Sequence, residues 1–119
     1  MSEPRRRVLL VDDEAPILQA TRDLLREYDY EVETHDDPAS IHEKVRAMRP
    51  HAILQDVRMP GLDVRALVAR LRADEATRQT RVILFSASIE ATELARELDV
   101  PLVQKPFKPK ALLAALDAE

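Results

Sequence analysis

Short apolar runs alternate with helical patterns along the whole chain. The runs at 7–11, 51–55 and 81–85 are mainly apolar, as expected for strands that are covered on both faces of a sheet. Segment 30–34 alternates apolar and charged residues, and 102–103 is a short apolar run that follows a proline. The last two patterns are typical of strands at the edges of a sheet.

Between the strands, apolar residues recur at the three- and four-residue spacing of helices that are buried on one side. The first stripe runs from Ile17 to Tyr28, and a weaker fourth stripe starts at Ile89. A capping aspartate followed by proline, at 36–38, predicts the start of the second helix, and a fifth helix is expected over Pro109 to Leu116. The other expected inward positions are Leu18, Thr21, Leu24, Leu25, Ile41, Val45, Met48, Val64, Leu67, Val68, Leu71, Leu94, Leu98, Leu112 and Leu113.

This order of elements predicts an α/β fold in which helices cover both faces of one parallel sheet. With the three apolar strands in the centre, the simplest order of the five strands is 2-1-3-4-5. That is the doubly wound arrangement of flavodoxin-like folds. A chain of 119 residues fits one domain, so a single domain is expected over 1–119.

Composition excludes several kinds of site and location. The absence of cysteine rules out disulfides, zinc thiolates and cysteine nucleophiles, and it is compatible with a reducing cytoplasm. No apolar run approaches the ~20 residues of a membrane-spanning helix, and the polar start at 1–7 does not resemble a signal peptide. The formal net charge of -4 disfavours direct binding of nucleic acid. A cytoplasmic domain with no membrane contact is therefore expected.

Polar residues follow four of the predicted strands at the edge where ligands bind to such sheets. Asp12 and Asp13 end strand one, Asp56 ends strand three, Ser86 ends strand four and Lys105 ends strand five. These ends share one edge, and the strand order reverses between strands one and three. Carboxylates brought this close together repel one another unless a proton or a cation intervenes. Oxygen ligands alone favour Mg²⁺, with Mn²⁺ as a further candidate.

This combination predicts phosphoryl chemistry at the sheet edge. A cation and Lys105 would neutralise the phosphoryl oxygens, the Ser86 hydroxyl would hydrogen-bond one of them, and a carboxylate would attack phosphorus. Asp56 is the predicted nucleophile because it projects alone from a central strand, while Asp12 and Asp13 would hold the metal directly or through water. Taken singly, each residue could be a helix cap, a loop cap or a surface charge. Their joint occurrence at matching strand ends favours the functional interpretation.

Four segments resemble the receiver domain of two-component response regulators, and together they span nearly the whole chain. The resemblance implies that Asp56 accepts a phosphoryl group from a phosphohistidine of a sensor histidine kinase or phosphotransfer protein. The matching segments are Val8-Leu9-Leu10-Val11-Asp12-Asp13-Glu14, Asp56-Val57-Arg58-Met59-Pro60-Gly61, Phe85-Ser86-Ala87 and Gln104-Lys105-Pro106-Phe107.

The resemblance also implies a ligand set and an output. Mg²⁺ would be held by Asp12, Asp13, Asp56 and the backbone carbonyl of Arg58. Such a domain is a signalling module, not an enzyme: it promotes only its own phosphorylation and dephosphorylation. The resemblance implies that phosphorylation shifts the equilibrium between conformations of the face formed by helix four, strand five and helix five. That face then binds a partner, often a second copy of the chain. The peptide bond between Lys105 and Pro106 is often cis in this family.

Three positions depart from the family pattern. Leu102 stands where an aromatic switch residue is usual, Val64 where glycine is common, and Gln55 where an apolar or acidic residue is common. Leu102 leaves open a degenerate receiver that acts as a phosphorylation-independent interaction module. A flavin or nucleotide binder is disfavoured because the acidic segment 12–14 would repel a phosphate. A phosphatase that forms an aspartyl phosphate is also disfavoured. It would need a cap and two acids at alternate positions after one strand, whereas Asp12 and Asp13 are adjacent.

Overall fold

The computed structural model describes residues 6–105 and 107–117, which form five parallel strands and five α-helices. The strands are β1 (Arg7–Val11), β2 (Glu31–His35), β3 (Ala52–Asp56), β4 (Arg81–Ser86) and β5 (Leu102–Gln104). The helices are α1 (Ala15–Glu27), α2 (Ile41–Met48), α3 (Val64–Ala73), α4 (Glu90–Leu98) and α5 (Pro109–Asp117), with a 3-10 turn at Pro38–Ser40 before α2. The expected cis bond involves Pro106, which lies outside the described residues.

The strands form one sheet in the order β2-β1-β3-β4-β5, and every neighbouring pair is parallel, as predicted. Strand β3 is buried along its whole length, and β4 is buried except at Arg81. The edge strands β2 and β5 instead mix buried with exposed positions. The burial pattern read from the sequence therefore places the strands correctly.

Alternate side chains of the central strands pack into two cores, one on each face of the sheet. Leu9 and Ile53 belong to the core that α2, α3 and α4 cover. Their neighbours Leu10 and Leu54 belong to the core that α1 and α5 cover. This alternation follows from the two-residue period of a strand. In the described part of the chain, no helix is both long and apolar enough to cross a bilayer.

Two predicted helix positions are wrong. Tyr28 lies one residue past α1 and is 52% exposed, because the chain turns at Asp29, whose φ is +67°, and carries Tyr30 into the core instead. Ile89 precedes α4 and is 89% exposed, because the Ser88 hydroxyl accepts the N–H of residue 90 and starts the helix after Ile89. Strands β2 and β3 each begin and end one residue later than predicted.

The loop after β3 contains the chain's single glycine. The N–H of Leu62 donates to the carbonyl of Met59 at 3.1 Å, which closes a four-residue turn. Pro60 and Gly61 occupy its two central positions, and the φ of Gly61 is +80°. A type II turn has a positive φ at that third residue, where a side chain would be strained. The turn leads the chain from Asp56 to the start of α3.

The last turn of α5 is held against the amino-terminal edge of the sheet. Tyr30 donates its hydroxyl hydrogen to the carboxylate of Asp117, and a guanidinium nitrogen of Arg6 lies 3.8 Å from the same carboxylate. His51 Nε2 lies 3.3 Å from one backbone carbonyl of this turn, and Arg81 donates to another at 2.9 Å. These donors satisfy carbonyl groups that have no partner within the helix.

The phenol of Tyr30 should titrate far above its usual range. Burial, followed by the hydrogen bond to Asp117, raises the pKa of Tyr30 to about 12. The folded pKa exceeds the ordinary value of about 10. The stability contributed by the neutral, hydrogen-bonded phenol is therefore fully present below about pH 10 and is lost as the pH rises toward about 12. In a pH titration followed by tyrosinate absorbance, the component that titrates at the highest pH should be absent from Tyr30→Phe and present in Tyr28→Phe. The reverse assignment would refute the interpretation.

Candidate functional site

Three carboxylates meet where β1 and β3 end. One carboxylate oxygen from each of Asp12, Asp13 and Asp56 lies within 4.8 Å of the other two. Asp12 and Asp56 are each 4% exposed, whereas Asp13 is exposed to solvent. Two negative groups are thus buried close together, with a third at the surface beside them. We call these three residues the acid cluster.

Lys105 supplies the positive charge of the site. Its Nζ lies 2.5 Å from Asp12 Oδ2 and 3.5 Å from Asp56 Oδ1, and its side chain is 10% exposed. The backbone N–H of Lys105 donates to the Ser86 carbonyl at 3.0 Å, which joins the ends of β4 and β5. The interpretation of Lys105 as a solvated surface charge is therefore wrong. Among the described residues of the site, three carboxylates face one ammonium, so negative charge remains in excess.

An aromatic pair supports the lysine, and its role was not predicted from the sequence. The ring of Phe85 lies 5.0 Å from Lys105 Nζ, a cation–π contact. Phe107 meets Phe85 edge to face, with ring centroids 5.6 Å apart and an interplanar angle of 77°. A signal did exist: these are the chain's two phenylalanines, and both lie within two residues of a predicted site residue.

The environment of Asp56 disfavours its charged form. Burial, followed by the negative charge of Asp12, raises the pKa of Asp56 above its usual range. The ammonium of Lys105 opposes this shift, as does the N–H of Arg58, which donates to Asp56 Oδ1 at 3.3 Å. A further cation at the acid cluster would therefore stabilise the ionised carboxylate. The oxygen-only donor set fits a hard divalent ion such as Mg²⁺.

Asp12 has a second, structural contact. Its Oδ1 accepts the N–H of Glu14 at 3.0 Å, while its Oδ2 binds Lys105. Glu14, and neither of the two aspartates, is the N-cap residue of α1. Asp12 therefore orders the turn into α1 with one oxygen and faces the site with the other.

Ser86 lies at the same edge, at the end of β4. It is 1% exposed, and it follows Phe85, the residue that pairs with Asp56 in the ladder. Its Oγ accepts the N–H of Ser88 at 3.0 Å, and the Ser88 hydroxyl in turn donates to Glu90 at 2.9 Å. The Ser86 hydroxyl is thus engaged with the following loop, and its role toward phosphate stays a prediction, as does that of the Arg58 carbonyl.

In the described residues, the contacts of the three histidine rings lie away from the acid cluster, as expected from the sequence. His35 Nε2 lies 2.9 Å from the Ser40 hydroxyl, and His42 Nε2 lies 2.9 Å from the Asp74 carboxylate. His51 contacts the end of α5. The candidate ligands of the site are therefore oxygen atoms.

Comparisons with known proteins point to one family. The family model described as the response regulator receiver domain matches residues 8–117. The phosphate regulon transcriptional regulatory protein PhoB of Pseudomonas aeruginosa is 32% identical over 93% of this chain and 50% of its own length. The DNA-binding response regulator MtrA of Mycobacterium tuberculosis is 28% identical over 99% of this chain and 52% of its own length. The chain thus spans about half the length of these curated relatives.

Solved structures share the fold at similar identity. The chemotaxis response regulator CheY4 of Vibrio cholerae has a TM-score of 0.82 and 28% identity, covering 95% of this chain and 97% of that one. A sensor protein from Polaromonas sp. JS666 has a TM-score of 0.83 and 26% identity, covering 95% and 94%. The flavodoxin-like, doubly wound sheet predicted from the sequence is confirmed.

Replacing Asp56 with asparagine should stabilise the fold in a buffer that contains a chelator. Because the folded pKa of Asp56 is raised, stability falls as the pH rises from the unfolded value of about 3.9 through the folded one. Near neutral pH, Asp56→Asn removes the disfavoured charge, and Lys105 keeps Asp12 as its partner. Urea unfolding should show a gain on the order of 1 kcal/mol that shrinks in acid.

Asp99→Asn is the matched control for this stability measurement. Asp99 is exposed and has a positive φ, which asparagine tolerates. We expect this substitution to change the free energy of unfolding by less than about 0.5 kcal/mol. A loss of stability in Asp56→Asn, or an equal gain in both variants, would contradict the electrostatic explanation.

Proposed function

The chain belongs to the response regulator receiver domain family, and we propose that Asp56 accepts a phosphoryl group in a Mg²⁺-dependent reaction. The observation that carries this proposal is the buried contact of Lys105 with Asp12 and Asp56 beside the exposed Asp13. It brings together the proposed nucleophile, the carboxylate oxygens that would hold a cation, and an ammonium group. A receiver domain is a signalling module, and we propose that residues 1–119 act as one such unit.

The reaction is a transfer between two nucleophiles. An Asp56 carboxylate oxygen attacks phosphorus, and a phosphorus–oxygen bond forms while the bond from phosphorus to the donor histidine nitrogen breaks. The released electron pair stays on that nitrogen. Lys105 would pair with a phosphoryl oxygen, since its Nζ lies 3.5 Å from Asp56 Oδ1. The Ser86 hydroxyl would rotate from the N–H of Ser88 toward another such oxygen.

The acid cluster and one backbone group would hold the cation. Asp12, Asp13, Asp56 and the carbonyl of Arg58 are the proposed ligands of Mg²⁺, or of Mn²⁺. When bound, the ion supplies positive charge that offsets the negative charge gathered during phosphoryl transfer. It would also favour the ionised form of Asp56, which burial disfavours.

The phosphodonor is proposed to be a sensor histidine kinase or a phosphotransfer protein. An apolar groove beside the acid cluster suits its docking, since Lys105 forms part of the wall. The other lining residues are Glu14, Pro16, Ile17, Ala20, Phe85, Ala87 and Phe107. A partner seated there would bring its phosphohistidine next to the carboxylates. We assign no nucleic-acid contact to this domain.

The output surface is proposed to be the face of α4, β5 and α5, with a second copy of the chain as a candidate partner. Ile89, which directly precedes α4, is 89% exposed and would offer an apolar contact to such a partner. Leu102, at the usual aromatic switch position, is half-buried and packs against the core that α2, α3 and α4 cover. A leucine at this position supports a switch that differs in detail from the family pattern. It also keeps the phosphorylation-independent interaction module as the alternative function.

Incubation with acetyl phosphate and Mg²⁺ should raise the intact mass by one phosphoryl group. The gain should disappear in Asp56→Asn and in the presence of a chelator, because the nucleophile or the cation is removed. Asp99→Asn, which changes an exposed aspartate, should react like the wild type. No gain under any condition would refute the phosphoacceptor proposal and support the interaction module.

Lys105→Met should separate phosphate chemistry from cation binding. Removing one preorganised charged donor should slow phosphorylation about 100-fold. The affinity of Lys105→Met for Mg²⁺ should equal or exceed that of the wild type. In the wild type, the Lys105 ammonium lies 2.5 Å from Asp12 and repels a second cation. The control is Lys108→Met, which changes a nearby exposed lysine. Weaker Mg²⁺ binding by Lys105→Met would count against this account of the site.

A further inference from the structure

A fully buried glutamine lies directly before the proposed phosphoacceptor. Gln55 is 0% exposed and occupies the central strand β3. Its ladder partners are Val11 on β1 and Leu84 on β4, both of which belong to the core that α2, α3 and α4 cover. Gln55 therefore places an amide in otherwise apolar surroundings, where a leucine or methionine would fill the same space without burying polar atoms.

The amide of Gln55 is satisfied on one side. Its Nε2 donates to the backbone carbonyl of Asp56 at 2.9 Å and lies 3.8 Å from the sulfur of Met59. Its Oε1 has no hydrogen-bond partner among the described residues. Turning the amide over would place Oε1 against the Asp56 carbonyl oxygen, and two acceptors repel each other. The orientation is therefore fixed by the chemistry of its neighbours.

These contacts reach both ends of the short segment that carries the site. Asp56 starts the segment and Met59 ends it, and Arg58, the proposed backbone ligand, lies between them. The carbonyl of Met59 also accepts the N–H of Leu62, which ties the segment to the tight turn before α3. One amide on a buried central strand thus contacts both ends of the loop segment that leaves the strand.

We propose that Gln55 is a positioning residue for the cation site. It holds segment 56–59 so that the Asp56 carboxylate and the Arg58 backbone stand together at the acid cluster. This inference rests on the proposed function for the identity of the cation. The orphaned Oε1 means that the amide weakens the core, because a buried unsatisfied acceptor is unfavourable. Stability and cation binding should therefore respond to its removal in opposite directions.

Gln55→Met tests this directly, because methionine has the same unbranched length without the amide. The melting temperature should equal or exceed that of the wild type. Affinity for Mn²⁺, measured by electron paramagnetic resonance of the free ion, should fall about tenfold, the scale for losing a group that orients a metal ligand. Phosphorylation by acetyl phosphate should slow at low Mg²⁺ and return to the wild-type rate at saturating Mg²⁺.

Thr21→Val is the matched control, since Thr21 is 1% exposed and its hydroxyl is the other buried side-chain oxygen without a partner among the described residues. It lies on α1, on the opposite face of the sheet from Gln55. This variant should leave Mn²⁺ affinity unchanged. Gln55→Leu repeats the test with a branched apolar side chain and should show the same loss of Mn²⁺ affinity. Agreement between the two variants would exclude an effect that is specific to the packing of methionine.

The possible failures are distinguishable. If the wild type binds Mn²⁺ and is phosphorylated, but both Gln55 variants bind the ion as tightly, the positioning role is wrong and the proposed function stands. A lower melting temperature with a rate that saturating Mg²⁺ does not restore would assign Gln55 a purely structural role and would also overturn the inference. If the wild type neither binds the ion nor takes up phosphate, the proposed function itself fails.

Discussion

The ammonium group of Lys105 lies between two buried carboxylates that would otherwise repel each other. It contacts Asp12 at 2.5 Å and Asp56 at 3.5 Å, in a place where little water can screen the charges. Removing the lysine would leave both buried carboxylates uncompensated, and an uncompensated buried charge is strongly destabilising. A third carboxylate, that of Asp13, lies beside them and has no cationic partner in the part of the chain that the structure describes. The described residues of the site therefore carry an excess of negative charge.

The sheet order makes this contact demanding. Strand β5 is separated from β1 by both β3 and β4, yet the lysine that follows β5 reaches the aspartate that follows β1. The side chain of Lys105 therefore crosses the edge of the sheet. The ring of Phe85, at the end of β4, supports the lysine on this path. The helices contribute apolar packing that keeps the strands in register, and the chemistry is left to the strand ends.

The sheet order and most of the site could be predicted from the sequence, because burial on both faces leaves a visible mark in strand composition. The end of α1 and the start of α4 could not. Residues Asp29, Arg49 and Asp99, which follow α1, α2 and α4, all have positive φ. Glycine usually marks such positions, and this chain has a single glycine, in another loop. The helical period alone therefore placed Tyr28 inside α1, although the turn after it buries Tyr30 instead.

Contacts between side chains of different elements also could not be predicted from the sequence. The ring beneath Lys105 and the amide contacts of Gln55 depend on the relative placement of neighbouring strands and loops, which no local pattern encodes. The acid cluster was predictable for the opposite reason. Its members are delivered by the direction of the strands alone, so a correct sheet order is sufficient to bring them together.

The contact between Arg6 and Asp117 has a consequence for how this domain can be joined to another domain. The two residues belong to the first and last stretches described, and they meet at the amino-terminal pole of the sheet. Asp56, the proposed phosphoacceptor, lies at the opposite pole of a molecule whose longest dimension is 40 Å. A fusion partner attached beyond Arg6 or Asp117 would continue from this pole, remote from the acid cluster. Information passed to such a fusion partner would have to travel through the body of the domain or around its flank.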